Sequence, residues 1–583
     1  MYWELAAIIA VVLTVFGVSL APRLGVASPL LLIGLGFGMA MLPWVDSITV
    51  NPEWVLAGVL PPLLYAAAVN TPVMEFRRDL RLISTFSVVL VVVTAVVIGW
   101  VATVLVPGMP LGVGIALGAI ISPTDAVAVS IVRKSGVSSR LVTVLEGESM
   151  LNDASALVLL RTAVAAVGVS VSLWSVVASF VWAVVAAVAI GWVVGKVNLF
   201  VRRWITSLPA GVALSLAVPF IAYLPAEHLE ASGLVAAVTA GIVVSYESPR
   251  RIGAEERLAE RAVWATVELL LESAVFLLVG VELPSLVAQY SEDGTYLTHP
   301  VGLATVMFTL ALLIRTAFVA FGVWRLAGRN RRLAPARDRL SEIHDRLVDG
   351  ELPPLSEAKT SRRVRLQRIK AGPERISRWR HMLQRRIADL DYLAAEQFSW
   401  RDGTILVWAG MRGAVTIAAA QSLPAEIAHR PLIILTATVI AVGTLIIQGL
   451  TLEPLAKRLG VSTSDSGADP DLWRELQAEL DSAALAALPP AGDDDASDLI
   501  RRVRERLSQS AEGAGKNWFG LQGQEAEQAW ASFRELRLTT LAGQRAKLLE
   551  LRSLGTYPTA MLDDALAQLD AQQISIELRQ QYD

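Results

Sequence analysis

Residues 146–160 read EGESMLNDASALVLL. Glu146, Glu148, Asn152 and Asp153 enter a run that turns fully apolar at Val158, Leu159 and Leu160, and the surroundings make those carboxylates expensive. Of the 583 residues, 54% are hydrophobic, and the mean hydropathy of +0.51 lies well above that of a soluble domain. The chain therefore reads as an all-α polytopic membrane protein. Its formal net charge of -3 gives no sign of a nucleic-acid partner. The absence of cysteine excludes disulfides, zinc–thiolate sites and thiol chemistry. The first residues, MYWELAAIIAVVLTVFGVSL, carry no basic leader and run into a second apolar segment after Arg23. They read as a retained first helix rather than a cleaved signal.

Windows of roughly 18 to 25 apolar residues can cross a bilayer core of about 30 Å, and about thirteen are present. They lie near 3–20, 26–43, 53–71, 82–106, 109–134, 139–166, 171–199, 205–223, 229–246, 258–286, 299–325, 402–424 and 430–457. The short loops between them alternate in charge as the positive-inside rule requires. Arg23, then Arg77, Arg78 and Arg81, then Arg133, Lys134 and Arg140, then Arg202 and Arg203, then Arg250 and Arg251 fall in every second loop. Asp46, the short VPGMP, Glu227 with Glu230, and Glu292 with Asp293 occupy the others. This places the N-terminus outside and the C-terminus in the cytoplasm of a multi-pass cell-membrane protein.

Two polar pieces complete the organisation. The membrane domain spans 1–460 and contains a basic cytoplasmic insert at 326–401, with RNRRLAPARDR, SRRVRLQRIK and RWRHMLQRR. The tail, 464–583, begins STSDSGADPD, contains LPPAGDDDAS, and otherwise reads as acidic Leu/Ala/Arg/Glu helices. Each is either a solvated or headgroup-facing helical module, or the acidic tail docks on the basic insert and regulates the membrane domain.

Ionisable groups within a membrane mark function by default, since a central Asp or Arg costs roughly 2.5 to 3.5 kcal/mol on insertion scales. On the sixth window, Ser149 and Asp153 share a helix face, with Asn152 beside it. Asp153 lies about 21 Å along the helix from Ser139 at 1.5 Å per residue, near or past mid-bilayer. Glu148, one turn before Asn152, needs a cation. The fifth window holds ISPTDAVAVS, where Pro123 removes a backbone donor and loosens Ser122 to Asp125, freeing carbonyls at membrane depth. If windows 1–6 and 8–13 are two inverted six-helix repeats, its counterpart is the twelfth, WAGMRGAVTIAAAQ, with Gly410 and Gly413 around Arg412.

Arg315, near the middle of the eleventh window, is the expected partner of Glu148. Glu272 follows Glu268 by one turn on the tenth, and either pairs with Arg412 or stays protonated. These four charges read as an internal ion-pair framework. No second basic residue is evidently left to neutralise Asp153, so its expected partner is a bound cation or a proton. Asp125 either serves the ion, caps the broken helix or hydrogen-bonds Asn152.

Together PTDAVAV, EGESMLNDASALVLL, ESAVFLLVGVEL, the Arg315 helix and GMRGAV resemble the sodium/proton exchangers of the NhaP and animal NHE type, the first cation/proton antiporter family. The resemblance spans roughly 1–460 in order and spacing, and includes PPLLYAAA and ASGLVAAVTAGIVVS. The stretch RAKLLELRSLGTYPTAMLDDALAQLD is similar to the tail of bacterial members. The resemblance implies an NhaA-like antiporter fold of thirteen helices with crossed broken helices, a homodimer, and exchange of one Na⁺ (or Li⁺) for one H⁺ in pH and sodium homeostasis. It implies that Asp153 alternately binds Na⁺ and H⁺, with the Thr124 carbonyl and Ser149 completing the cation shell. It also implies that Asn152 and Asp125 organise the crossing and that Glu148 pairs with Arg315; Arg412 and Glu272 match family positions. One departure is Ala66, where the family often has a polar residue after PPLLY, which bears on ion selectivity.

The transport chemistry needs little beyond Asp153. Burial penalises a bare carboxylate, and either a proton or a cation relieves that penalty. A hard cation is satisfied by a carboxylate, a freed carbonyl, a hydroxyl and water. Because Asn152 is neutral, exchange is expected to be electroneutral. K⁺/H⁺ exchange is the nearest alternative and a gated channel a more distant one. No P-loop, HExxH or GxSxG motif points to an enzyme, and no cofactor is expected.

Overall fold

The computed structural model describes residues 2–24, 27–41, 54–71, 73–167, 173–292, 298–330, 340–342, 373–395, 398–424, 426–461, 470–489 and 524–582. Among them every regular element is helical. The chain divides into two units: one of 1–252, 256–327 and 398–466, and one of 253–255, 328–397 and 467–583.

The first unit begins with α1 (Tyr2–Leu24), α2 (Ser28–Ala40), α3 (Val55–Asn70) and α4 (Val73–Leu105). Next come the short helices α5 (Leu111–Ile121) and α6 (Ala126–Lys134), then α7 (Ser139–Ala165). Helices α8 (Leu173–Val201), α9 (Leu208–His228), α10 (Gly233–Arg251), α11 (Ala254–Glu292) and α12 (Thr298–Asn330) follow. After α13 (Pro373–Ala395), which belongs to the second unit, the first unit closes with α14 (Trp400–Trp408), α15 (Ala414–Gln421) and α16 (Arg430–Leu459).

By length and composition, six described helices can cross a membrane: Val73–Leu105, Ala178–Trp204, Leu208–His228, Ala254–Ala288, His299–Leu326 and Arg430–Leu459. Shorter apolar helices occupy Ile8–Ala21, Ser28–Ala40, Val55–Asn70 and Leu111–Ile121. Their outward faces carry Val12, Phe16, Trp182 and Trp192, all more than half exposed. Such surface is stable against acyl chains, because each helix satisfies its own backbone.

Local chemistry explains the boundaries. Pro61 and Pro62 cannot donate backward, and the preceding turn of α3, Val55–Val59, is wound as a π-helix. Helix α4 starts well before the apolar window read at 82–106, because VMEFRRDLRLIS continues the helix with Glu75 and Asp79 buried. Asp79 is bound by Arg140 at the start of α7, Nε to Oδ2 at 2.9 Å and Nη2 to Oδ1 at 2.7 Å. Ser399 and Asp402 form a reciprocal cap that starts α14.

Two larger packed groups stand out within this unit. The main buried cluster joins α2–α7, α9–α12 and α14–α16 around residues such as Leu117, Val144, Met307 and Ile405. A separate cluster unites Tyr65 and Ala66 of α3 with Ala187, Val218, Ala236 and Trp264 of α8–α11.

In the second unit, α17 (Pro470–Ala487) packs on α18 (Gln524–Leu554), which turns at Gly555 (φ 73) into α19 (Thr559–Tyr582). Leu476, Leu480, Leu548 and Leu562 form its core. Helix α13 also packs on α18. Most of the two basic runs RNRRLAPARDR and SRRVRLQRIK, nearly all of STSDSGADPD and of LPPAGDDDAS, and Asp46 and Asp293 lie outside the described residues.

Candidate functional site

Between α5 and α6 the chain leaves helical geometry at residues 122–125, around Pro123. Between α14 and α15 it does so at 409–413, around Gly410, Arg412 and Gly413. The breaks cross. The backbone N–H of Asp125 donates to the carbonyl of Met411 at 2.8 Å. Gly413 has to be glycine there, since a Cβ would overlap the Asp125 carboxylate.

Arg412 holds the crossing together. Its Nε donates to the Ile121 carbonyl at 2.8 Å, and its Nη1 donates to the Gly410 carbonyl. Those carbonyls sit at the C-terminal ends of α5 and α14, where a helix presents roughly half a negative charge. One buried guanidinium thus serves both ends, and its own N–H is fixed by Thr444 Oγ1 of α16 at 3.0 Å. No ion pair joins Arg412 to Glu272 among the described residues. Glu272 is half-buried on α11, with Asp125 and Glu268 as its electrostatic neighbours.

Helix α7 crosses beside the first break. Ser149 Oγ donates to the Thr124 carbonyl at 2.7 Å, and Asn152 Nδ2 donates to the Ser122 carbonyl at 3.2 Å. Side chains one turn apart therefore take up two carbonyls of the break around Pro123. Asp153, 5% exposed, follows directly, and its Oδ1 is buried without a hydrogen-bond partner. Among the described residues no three His, Asp or Glu side chains gather as a metal cluster. Asn152 Oδ1, next to Asp153 on α7, is likewise buried without a hydrogen-bond partner.

Glu148 and Arg315 form a fully buried two-pronged pair, Nη1 to Oε1 and Nη2 to Oε2 at 3.0 Å. Arg315 also donates to the Leu406 carbonyl, from Nε at 3.1 Å and Nη2 at 2.8 Å. Leu406 is free to accept because the Gly410 N–H turns back to Val407 instead. A Cβ on Gly410 would press on the Arg315 side chain. Ala66 is fully buried among α3, α8 and α9–α11, packed as a small residue.

The sequence reading passed over bases inside the apolar windows, among them Lys196, which pairs with Glu247, and Arg161, on α7 itself, within ALVLLRTAVA. Arg161 does not neutralise Asp153, because its guanidinium binds Glu227, with Nη1 to Oε1 at 2.6 Å. A lone Arg inside an apolar run was the available signal. The Arg140–Asp79 pair was likewise missed, its partners lying in segments read as loops.

The family profile described as "Sodium/hydrogen exchanger, transmembrane" matches residues 7–341 and 379–458. An uncharacterized Na⁺/H⁺ exchanger of Mycobacterium tuberculosis is 29% identical over 588 residues, covering 98% of this chain and 96% of that protein. A sodium, potassium, lithium and rubidium/H⁺ antiporter of Bacillus pumilus is 30% identical over 295 residues, 49% of this chain and 44% of its own. The solved structure of the sodium proton antiporter MjNhaP1 from Methanocaldococcus jannaschii superposes with a TM-score of 0.52 at 16% identity, covering 79% of this chain and 99% of that one. That likeness concerns the fold.

Proposed function

The chain belongs to the sodium/hydrogen exchanger family, and from that premise we propose that it exchanges Na⁺ for H⁺, one for one, at Asp153. The observation that carries this reading is a buried carboxylate with an unpartnered oxygen, one turn from a hydroxyl already bound to a helix-break carbonyl. A bare charge there is costly. A proton or a cation removes the cost, and the two compete for the same oxygens. Only the loaded forms then cross readily, which couples the two fluxes.

In this cycle the Thr124 carbonyl and Ser149 complete the cation shell, while Pro123, Asn152 and Asp125 shape the crossing. Glu148, Arg315 and Arg412 form the rigid frame, and Glu272 lies beside it. Electroneutral stoichiometry rests on Asn152, whose amide engages Ser122 and adds no charge. Thirteen crossings in two inverted repeats, an outside N-terminus and a homodimer belong to the same reading. Its support is the pairing of two breaks in corresponding windows and the alternation of arginines in the loops.

The decisive experiment measures cation-induced pH change in inverted vesicles with Na⁺, Li⁺ and K⁺. Saturable, voltage-insensitive, Na⁺-driven proton movement is expected, and none with any of the three ions would refute exchange. K⁺/H⁺ exchange is the second reading, since the name of the Bacillus relative includes potassium beside sodium. A larger response to K⁺ than to Na⁺ would select it. We place regulation in the acidic tail docking on the basic insert, supported by the packing of α13 on α18.

A further inference from the structure

The end of α7 farthest from Ser139, the outer end by the arginine distribution, carries a contact that the exchange chemistry does not use. Arg161 Nη1 binds both carboxylate oxygens of Glu227, and Nη2 approaches the Tyr223 hydroxyl at 3.5 Å. Glu227 is held from the other side as well, its Oε1 accepting from the Gly233 N–H at 2.9 Å where α10 begins. Glu227 and Tyr223 belong to α9. Beside the pair lies a cavity of about 330 Å³ lined by Arg161, Thr162, Ser179, Glu227, Glu230 and Ser232.

Three observations give this contact a role. Helix α7 carries Asp153 and clamps the crossing, whereas α9 and α10 face two ways, with Tyr223, Leu234 and Val238 packed in the main cluster beside α7 and Val218, Ala222, Ala236 and Ala240 in the separate cluster around Tyr65 and Trp264. Arg161 therefore ties α7, through Glu227, to the two helices that separate the main cluster from the one around Tyr65 and Trp264. Between it and Asp153 along α7, the apolar side chains of Leu157 and Leu160 are 2% and 3% exposed. Finally, the pair is only partly buried, at 37% and 26% side-chain exposure. Partly exposed ion pairs contribute little net stability, which suits a contact that must break in every cycle, and the adjoining cavity, whose wall also includes Val158, Ala165, Ala183 and Ala231, leaves room for the parted side chains.

We propose that Arg161 and Glu227 form an outer latch that holds α7 against α9 and α10 with Asp153 closed to the outside, and that transport requires its release. Arg161 is a positioning residue: it sets which face Asp153 sees without touching the ion. The proposal rests on the exchange reading, but its test needs no ion flux, so failure of one is distinguishable from failure of the other.

The chain has no cysteine, so a single Leu157→Cys reporter, one turn outward of Asp153, can be followed in the full-length protein in membrane vesicles. A membrane-impermeant maleimide applied to the face opposite the tail should label the reporter slowly. Adding Glu227→Gln keeps an acceptor for the Gly233 N–H but removes the charge, and should raise the labelling rate at least fivefold. Arg161→Gln should do the same, and Arg161→Lys should stay near the parent. The exchanged pair Arg161→Glu with Glu227→Arg should return the rate toward the parent value. Unchanged labelling in both Gln variants would overturn the latch. So would fast labelling in the exchanged pair, provided it reaches parental abundance; if it does not, the two Gln variants decide.

Discussion

A carboxylate 5% exposed, with one oxygen accepting no hydrogen bond, is held against its own hydration. Asp153→Asn keeps the shape and removes the charge. Na⁺-driven proton movement in vesicles should fall to background while membrane abundance stays unchanged; retained exchange would remove Asp153 from the mechanism. Glu148 and Arg315 call for the opposite outcome. Breaking a buried pair from one side leaves a stranded charge and costs about 3–5 kcal/mol, whereas replacing both partners with apolar residues is often neutral. Arg315→Ala should therefore lower abundance sharply, and Glu148→Leu with Arg315→Met should restore much of it. A normally abundant Arg315→Ala protein with weakened cation affinity would instead place Arg315 in the ion's path.

At the scale of elements, the two breaks depend on close approach. A Cβ at Gly413 would collide with the Asp125 carboxylate, whereas one at Gly34 would meet nothing within 4 Å. Overpacking of this kind typically costs 1–3 kcal/mol. Gly413→Ala should cut the exchange rate roughly tenfold or more, and Gly34→Ala should leave it unchanged; equal rates would show that the crossing tolerates being spread. Much of this was legible in the chain, because Pro123 and the glycines around Arg412 act locally on their own backbone. The partners of Arg412 were not legible. They are carbonyls of Ile121 and Gly410 that exist as free acceptors only once both helices have broken and met. Sequence offers Arg412 only other side chains, which is why Glu272 stood as a candidate. Arg161 was visible as a base, but its partner depends on α9 extending to His228, beyond the apolar window.

At the scale of the molecule, the second unit is a helical module whose polar contacts can be tested without transport. Asp481 on α17 accepts from Gln544 Nε2 on α18 at 3.3 Å. Burial pushes its carboxyl up, against the opposing pull of Arg537 and the Gln544 hydrogen bond. A carboxyl raised by folding contributes stability that is fully present below its unfolded value of about 3.9 and is lost as pH rises through the folded value. The contact between α17 and α18 should thus loosen on going from acid to neutral pH. Asp481→Asn keeps an acceptor for Gln544 and cannot ionise. In the full-length protein at neutral pH, it should slow amide hydrogen exchange along α17 and α18 relative to the parent at the same pH. That difference should vanish below about pH 4, where the parent carboxyl is protonated. Equal protection at neutral pH would mean that ionised Asp481 costs the module nothing. If the tail regulates exchange, the same substitution should also shift the pH profile of transport, and removal of 464–583 should change that profile; an unchanged profile in the truncated protein would count against regulation.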